Sequence, residues 1–246
     1  MKKLFLMIFL VSISHYCFSQ ETNTKSALML QKVLKQLGLK RTDIHEPLVT
    51  EKVLPNIKSN TVLVIPKYRK SETDEYSNHY YEFDAYVVIV NSLTGKILAQ
   101  YIEENAWTSD AVAITGIIVD TGLFQLNSDT RAFGVRVSYA NSSQPNPFNQ
   151  TDLYLFIHKN NKLQKVLDKF TTNQFGGEWD TRCAGEFDDM NSVIDIAKTG
   201  NRGLNNLVVK STSVHTKNVA VKEDCLEKKT TTHQTKVLKF NGLEYK

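Results

Sequence analysis

Short apolar-rich runs, in which apolar and polar residues often alternate, dominate the chain after Asn60. They are rich in Val, Ile, Tyr, Phe and Thr, the residues that favour strands, and their length of about five to ten residues suits strands better than helices. The pattern predicts strands at 61–65, 81–90, 96–102, 112–119, 133–139, 152–158, 162–170, 187–197, 204–212 and 236–240. We therefore expect an all-β domain.

Short turn sequences between these segments indicate how the strands pair. Asn91–Gly95, Lys159–Lys162 and Asn241-Gly242 have the composition of hairpin turns. Strands joined this closely are antiparallel, because a parallel pair needs a crossover of about a dozen residues. The sequence thus predicts an antiparallel meander. Ten or more strands do not fit one open sheet comfortably, so stacked sheets in a sandwich and radial blades in a propeller both stay open.

A helical periodicity precedes the strands, within residues 26–37. The apolar residues at this spacing are Leu30, Val33, Leu34 and Leu37. Gly38 supplies a C-terminal stop, which predicts a short amphipathic helix that docks on the following domain. Residues 40–60 contain two prolines and little periodicity. We interpret 20–60 as helix and connector, and 61–246 as the β-rich domain.

The first residues have the pattern of a secretory signal peptide. Lys2 and Lys3 precede an apolar run at 4–11, and Cys17-Phe18-Ser19 offers a cleavage site. We expect a signal peptide at 1–19 and a mature protein that is secreted or periplasmic. The apolar run is too short for a membrane anchor, which needs about 20 residues. Lipid attachment at Cys17 is disfavoured, because His15-Tyr16 lacks the small residue of a lipobox.

No second apolar segment of spanning length occurs, so we expect no transmembrane segment in the mature chain. Cleavage would leave Cys183 and Cys225, which lie 42 positions apart, in a compartment that permits disulfides. Such a bridge would stabilise the fold by about 4 kcal/mol in the chain-entropy model. A redox site is the alternative, but neither cysteine belongs to a Cys-x-x-Cys pair or adjoins a histidine.

Charge and motif content exclude several function classes. The net charge is +4, two of the lysines belong to the predicted signal peptide, and the other basic residues are scattered, so we expect no nucleic-acid partner. The mature chain has no His-x-x-x-His or Glu-x-x-His pair. It also lacks a Gly-x-Ser-x-Gly elbow, a P-loop and a dinucleotide fingerprint. We therefore expect no metal and no cofactor.

Residues 175–187, FGGEWDTRCAGEF, form the densest cluster of side chains with functional chemistry. Its polar and aromatic members are Glu178, Trp179, Asp180, Arg182 and Glu186. Two carboxylates that flank a scissile bond are the machinery of glycoside hydrolysis, which gives a hydrolase hypothesis. The same residues suit a scaffold in which the tryptophan packs over the disulfide, or a surface that binds a ligand.

A second cluster, Trp107 to Ala111, is predicted to be a turn in which Ser109 and Asp110 cap backbone N–H groups. Arg131 and Arg136 belong to one predicted strand but face opposite ways. Arg131 is expected either to pair with Asp110 or Asp120, or to line a groove with the tryptophans. The candidate ligand-binding residues are Trp107, Asp110, Arg131, Trp179, Asp180, Arg182 and Glu186. The tyrosine-rich loop at 68–81 is an alternative recognition site.

Four segments, WTSDA at Trp107, IIVDTG at Ile117, RAFGVR at Arg131 and GEWDTRCAGEF at Gly177, resemble a family of uncharacterised secreted or periplasmic proteins of Gram-negative bacteria. The resemblance covers about residues 60–246. It implies a location and a fold and assigns no activity. Residues 198–206 are similar to the calcium loop of FG-GAP or VCBS propeller repeats, but they lack every acidic ligand, so calcium binding is not expected there.

The sequence as a whole predicts a secreted or periplasmic β-rich module without catalytic activity. Its expected partner is an unidentified carbohydrate, peptide or other envelope or extracellular ligand. One alternative is a hydrolase that acts on envelope polysaccharide or peptide through carboxylates of the Glu178 to Glu186 cluster. The other is a purely structural protein.

Overall fold

The computed structural model describes residues 25–246, so the predicted signal peptide at 1–19 lies outside the described residues. A helix, α1, covers 25–37 and is followed by short 3₁₀ helices at Arg41–Asp43 and Glu46–Leu48. The described residues then form eleven strands: β1 Thr50–Leu54, β2 Ile57–Thr73, β3 His79–Asn91, β4 Ile97–Ser109, β5 Ala113–Gln125, β6 Arg131–Ala140, β7 Phe148–Lys159, β8 Lys162–Trp179, β9 Gly185–Asn201, β10 Leu204–Val221 and β11 Asp224–Leu238. The all-β prediction is confirmed.

The strands form two sheets in which every neighbouring pair is antiparallel and consecutive in the chain. β1 to β4 make a four-stranded sheet, and β5 to β11 make a seven-stranded sheet with β5 and β11 at its edges. The inner faces of the two sheets share one apolar core. Of the two arrangements that the sequence left open, the protein adopts the stacked, sandwich-like one.

The main core contains alternate residues of the facing strands, because successive side chains of a strand point to opposite sides. From the four-stranded sheet it includes Val62, Val64, Phe83, Val87, Ile89 and Trp107. The seven-stranded sheet contributes Ile117, Val119, Phe133, Val135, Val137, Tyr154 and Phe156. This core fixes the distance between the sheets and the position of the loops at their ends.

The outer faces of both sheets are also partly covered. Leu153, Leu155 and Ile157 of β7 pack against Leu207 and Val209 of β10, so the seven-stranded sheet folds back on itself. β7 is therefore buried on both faces, which explains its continuous apolar sequence.

The helix α1 packs on the outer face of the four-stranded sheet, as its apolar stripe predicts. Val33 and Leu34 contact a cluster that includes Leu63 and Val88. Gln36 of the helix donates from Nε2 to the carbonyl of Gly95 at 2.8 Å. In residues 25–246 we find no helix with the length and apolar character that crossing a membrane requires.

Several parts of the sheets lie outside the predicted strands, among them residues 66–73 of β2, 103–109 of β4 and 171–179 of β8. β1 falls in the segment interpreted as a connector, because it is a short edge strand whose polar, exposed residues carry no alternation. The distal parts of β9, β10 and β11 are longer than predicted and form what we call the β-arm, residues 185–191, 211–221 and 224–234. In β11 every residue from Asp224 to Val237 is exposed, so no alternation of buried and exposed residues marks this strand before Leu238.

Two tyrosines, the buried Tyr154 of the main core and the partly buried Tyr139 packed against it, make stability sensitive to alkaline pH. Burial raises the pKa of both Tyr139 and Tyr154 above its ordinary value. In the unfolded chain these phenols ionise near pH 10, so their contribution to stability is present below about pH 10 and is lost as the pH rises further. We expect Tyr154→Phe to keep the protein folded to a higher pH than wild type in circular dichroism titrations. Tyr76→Phe, an exposed control, should leave the midpoint unchanged.

Candidate functional site

An open cavity of about 520 Å³ lies beside the disulfide, at the end of the β-arm that is distant from the core. We call it the disulfide pocket. Its walls combine aromatic rings, one arginine, two amide side chains and the bridge itself. The lining residues are Ser143, Gln144, Pro147, Phe175, Trp179, Arg182, Cys183, Phe187, Asn218 and Cys225.

The aromatic walls follow from strand alternation in β8 and β9. Phe175 and Trp179 are four positions apart in β8 and so share a face, and the neighbouring strand adds Phe187. The rings of Phe175 and Phe187 are stacked, with centroids 5.9 Å apart and planes at 9°. Gly177 pairs with Phe187, and a Cβ at this glycine would lie 2.5 Å from the Phe187 ring. The glycine therefore makes room for the phenylalanine.

A tight turn from Asp180 to Ala184 positions the polar side of the pocket, to which Arg182 belongs. The Asp180 carboxylate accepts hydrogen bonds at 2.8 Å from the backbone N–H groups of Arg182 and Cys183. These bonds lower the pKa of Asp180 and keep it ionised. Asp180 is exposed and is not part of the pocket lining, so it holds the turn from which Arg182 and Cys183 extend.

The predicted disulfide between Cys183 and Cys225 is present, with the two Cα atoms 5.7 Å apart. It joins the turn after β8 to the start of β11. The opposite wall is the loop between β6 and β7. Its carbonyls at Pro145 and Pro147 accept hydrogen bonds from Trp179 and Gly177 at 2.7 and 3.2 Å. Both walls are thus tied to β8.

Two polar groups of the pocket have unused hydrogen-bonding capacity among the described residues. The Oδ1 atom of Asn218 is buried at the wall and has no hydrogen-bond partner within 25–246. A buried acceptor without a donor costs about 1–3 kcal/mol. The exposed guanidinium of Arg182 forms no hydrogen bond or ion pair with any described side chain. A ligand with N–H or O–H donors and an anionic or acceptor group would match this pair.

The predicted carboxylate cluster does not form in this pocket. Glu178 and Glu186 pair with each other across β8 and β9, one position along from Trp179 and Gly185, so they face the opposite side of the sheet. Glu186 forms an ion pair with Lys217, which lowers the pKa of Glu186. No carboxylate is among the described residues that line the pocket. The placement of Glu186 in the same contact surface as Trp179 is therefore wrong.

Trp107 was also predicted as a contact residue, and this expectation is wrong. It lies in β4, not in a turn, pairs with Phe83 and is only 4% exposed in the main core. Arg131 does not pair with Asp110 or Asp120. Its guanidinium donates a hydrogen bond to the carbonyl of Thr121 at 3.0 Å. Asp120 forms its ion pair with Arg136 instead, with Nε of the arginine 2.8 Å from Oδ2 of the carboxylate.

Asp110 lines a second, larger cavity of about 1130 Å³, which we call the end cleft. This cleft lies where the β2–β3 hairpin, the β4–β5 turn and the β6–β7 loop meet. It includes part of the tyrosine-rich segment 68–81, the alternative recognition site, which was predicted as a loop but consists largely of the ends of β2 and β3. Its residues include His45, His79, Tyr81, Phe83, Asp110 and Asn141.

Some site residues were missed by sequence reasoning. Phe175 and Phe187 lie in the segment that was singled out, but their role depends on counting strand alternation from Trp179. Asn218 belongs to β10, more than thirty positions away, and only strand pairing brings it to Trp179. His45 falls in the supposed connector. No local pattern marks these residues.

Within residues 25–246 no three or more His, Cys, Asp or Glu side chains come together as a metal site. The stretch similar to a calcium loop, residues 198–206, spans the hairpin between β9 and β10, where Arg202 and Gly203 have positive φ. Comparisons of the chain with protein-family models, curated proteins and solved structures find no match.

Proposed function

We propose that this protein is a secreted or periplasmic binding module without catalytic activity, and that a carbohydrate or peptide of the cell envelope or surroundings binds in the disulfide pocket. One observation carries this proposal. Trp179, the stacked Phe175–Phe187 pair and Arg182 converge on one open cavity that the disulfide holds in place.

The chemistry of the pocket supports recognition of such ligands. Its volume of about 520 Å³ lies in the range of small-molecule sites, about 300–1,000 Å³. Flat aromatic rings pack against sugar faces or apolar side chains, while Arg182 and Asn218 supply directed polar contacts. A disulfide in this position is compatible with a compartment outside the cytosol.

The carboxylates support binding more than hydrolysis. A general acid needs a raised pKa, whereas hydrogen bonds and an ion pair lower the pKa of Asp180 and Glu186. Glu178 and Glu186 face away from the pocket. A hydrolase would instead release products from the bound ligand and lose this activity in Glu178→Gln.

The proposal predicts a specific loss of binding. In a screen of immobilised envelope glycans and peptides, we expect the mature protein to retain a ligand, and Trp179→Ala to weaken its affinity by about tenfold or more, because tryptophans dominate binding energies at such surfaces. Arg182→Ala should act in the same direction. Tyr76→Ala removes an aromatic that is 77% exposed elsewhere and should leave affinity unchanged.

Unaltered affinity in both Trp179→Ala and Arg182→Ala would show that the ligand binds outside the disulfide pocket. Circular dichroism of each variant checks that the fold is intact. Trp179 and Arg182 lie outside the described apolar core clusters, so we expect both variants to fold.

A further inference from the structure

We propose that the end cleft is a second binding site and that its ligand is an organic cation, a flexible compound with ammonium or guanidinium groups. This site is separate from the disulfide pocket. Strands of both sheets form it, since Tyr81 and Ser109 belong to the four-stranded sheet and Ala113 and Ala140 to the seven-stranded one. The sandwich core therefore fixes the shape of the cleft.

A continuous row of rings forms one wall. His79 stacks on Tyr81 with centroids 5.6 Å apart and planes at 10°. Tyr81 lies 5.5 Å from His45, and His45 lies 5.6 Å from Phe83 at the floor. Aromatic faces carry a negative quadrupole and attract ammonium and guanidinium groups within about 6 Å of the ring centroid.

The fixed charges of the cleft have the same sign. Its described lining residues include Glu72, Asp74 and Asp110 and no Lys or Arg, although the whole chain has a net charge of +4. Glu72 is paired with Lys70, so Asp74 and Asp110 are the carboxylates without an ion-pair partner among the described residues. Hydrogen bonds from Asn78 lower the pKa of Asp74 and keep its carboxylate ionised. Burial lowers the pKa of His45, so this imidazole stays neutral. These charges disfavour an anion and favour a cation over a neutral sugar.

Beside the cleft, on the face of the β2–β3 hairpin opposite to His79 and Tyr81, the protein already holds one ammonium group of its own. Lys70 Nζ lies 4.9 Å from the centroid of the Tyr80 ring and 3.0 Å from Glu72 Oε2. Tyr80 and Glu72 both belong to the cleft lining. An aromatic face with a carboxylate beside it is therefore an arrangement that binds an ammonium at this end of the molecule.

Asp110 is the carboxylate with the most capacity for a ligand. Its Oδ1 atom accepts the N–H of Val112 at 2.9 Å, and its other oxygen has no hydrogen-bond partner among the described residues. Asn at this position keeps the cap and removes the charge. Asp110→Asn thus separates the role of the charge from the role of the turn.

The test is a set of titrations of the isotope-labelled mature protein, followed by amide chemical shifts. Spermidine represents a free polyamine, a tetralysine peptide represents a basic polypeptide segment, and maltohexaose is the neutral control. We expect a cation to shift amides of the cleft, and both Asp110→Asn and His79→Ala to weaken its binding. The charge removal should cost about two- to fivefold in affinity, the range of an exposed ion pair. Asp129→Asn, an exposed carboxylate of another turn, should have no effect.

Binding of spermidine alone would identify small polyamines as the ligand class, and binding of tetralysine alone would identify basic peptides. Absence of localised shifts with both cations would overturn the proposal. So would stronger binding of maltohexaose at the cleft, or an Asp129→Asn effect as large as that of Asp110→Asn. Trp179→Ala should leave cation binding unchanged, so failure here is distinguishable from failure of the disulfide pocket.

Discussion

Replacing Trp107 with alanine is expected to lower the free energy of unfolding by about 3–5 kcal/mol, the usual cost of deleting a large buried aromatic side chain. Trp107 is 4% exposed and packs between the two sheets with Phe83 and Phe156 in the same cluster. The cavity left behind would lie in the main core, which relaxes only partly. Urea denaturation followed by circular dichroism measures the loss.

The matched variant is Trp179→Ala, which deletes the other tryptophan of the chain. Trp179 is half-buried at the edge of the fold and belongs to none of the described core clusters, so its loss should cost much less stability. The two variants should thus have different main effects: Trp107→Ala lowers stability, and Trp179→Ala weakens ligand binding. A stable Trp107→Ala protein that had lost its ligand would contradict the assignment of these roles.

Removing the disulfide is expected to lower the free energy of unfolding by a similar amount. The bridge closes a loop of 42 positions, for which the chain-entropy model gives about 4 kcal/mol. Few buried apolar contacts replace it, because the residues of β11 from Asp224 to Val237 are exposed. The double variant Cys183→Ala/Cys225→Ala should therefore unfold at markedly lower urea than the oxidised wild type, and its β-arm should be cleaved faster by protease.

The reduced wild-type protein provides a control with unchanged sequence and should behave like the double variant. Both should also bind the pocket ligand more weakly, because the bridge holds the turn that carries Arg182. Unfolding curves for the double variant that coincide with those of the oxidised protein would show that strand pairing alone holds the arm.

Sequence reasoning found the strands where a core imposes a pattern. β7 was predicted from its apolar sequence, which burial of both its faces requires, and the hairpin at Asn160-Asn161 from its asparagines, which suit the positive φ that both positions adopt. The distal part of β11 was missed because neither face is buried, so no apolar residue was required there. The edge strand β1 was also missed, because most of its residues are exposed and show no apolar alternation.

The site was predicted only in part, and the failures have local causes. Trp107 was assigned to a turn, but an irregularity in β4 around Asn105, with φ of +50°, sets the strand so that Trp107 enters the core. Glu186 was grouped with Trp179 because the glycine-rich segment looked like a loop. Since it is a strand pair, alternation separates the two side chains. Trp179 and Arg182 do share one pocket.

The central claim is that the ligand binds against Trp179, and fluorescence tests it most directly. Trp107→Phe leaves Trp179 as the single tryptophan of the chain. It also removes a buried indole N–H that has no partner in normal hydrogen-bond geometry within 25–246, which offsets part of the lost packing. We would titrate this variant with the glycans and peptides that the wild type retains and measure acrylamide quenching. Shielding of Trp179 at saturation is the predicted result, and saturable binding with unchanged emission and quenching would contradict the account.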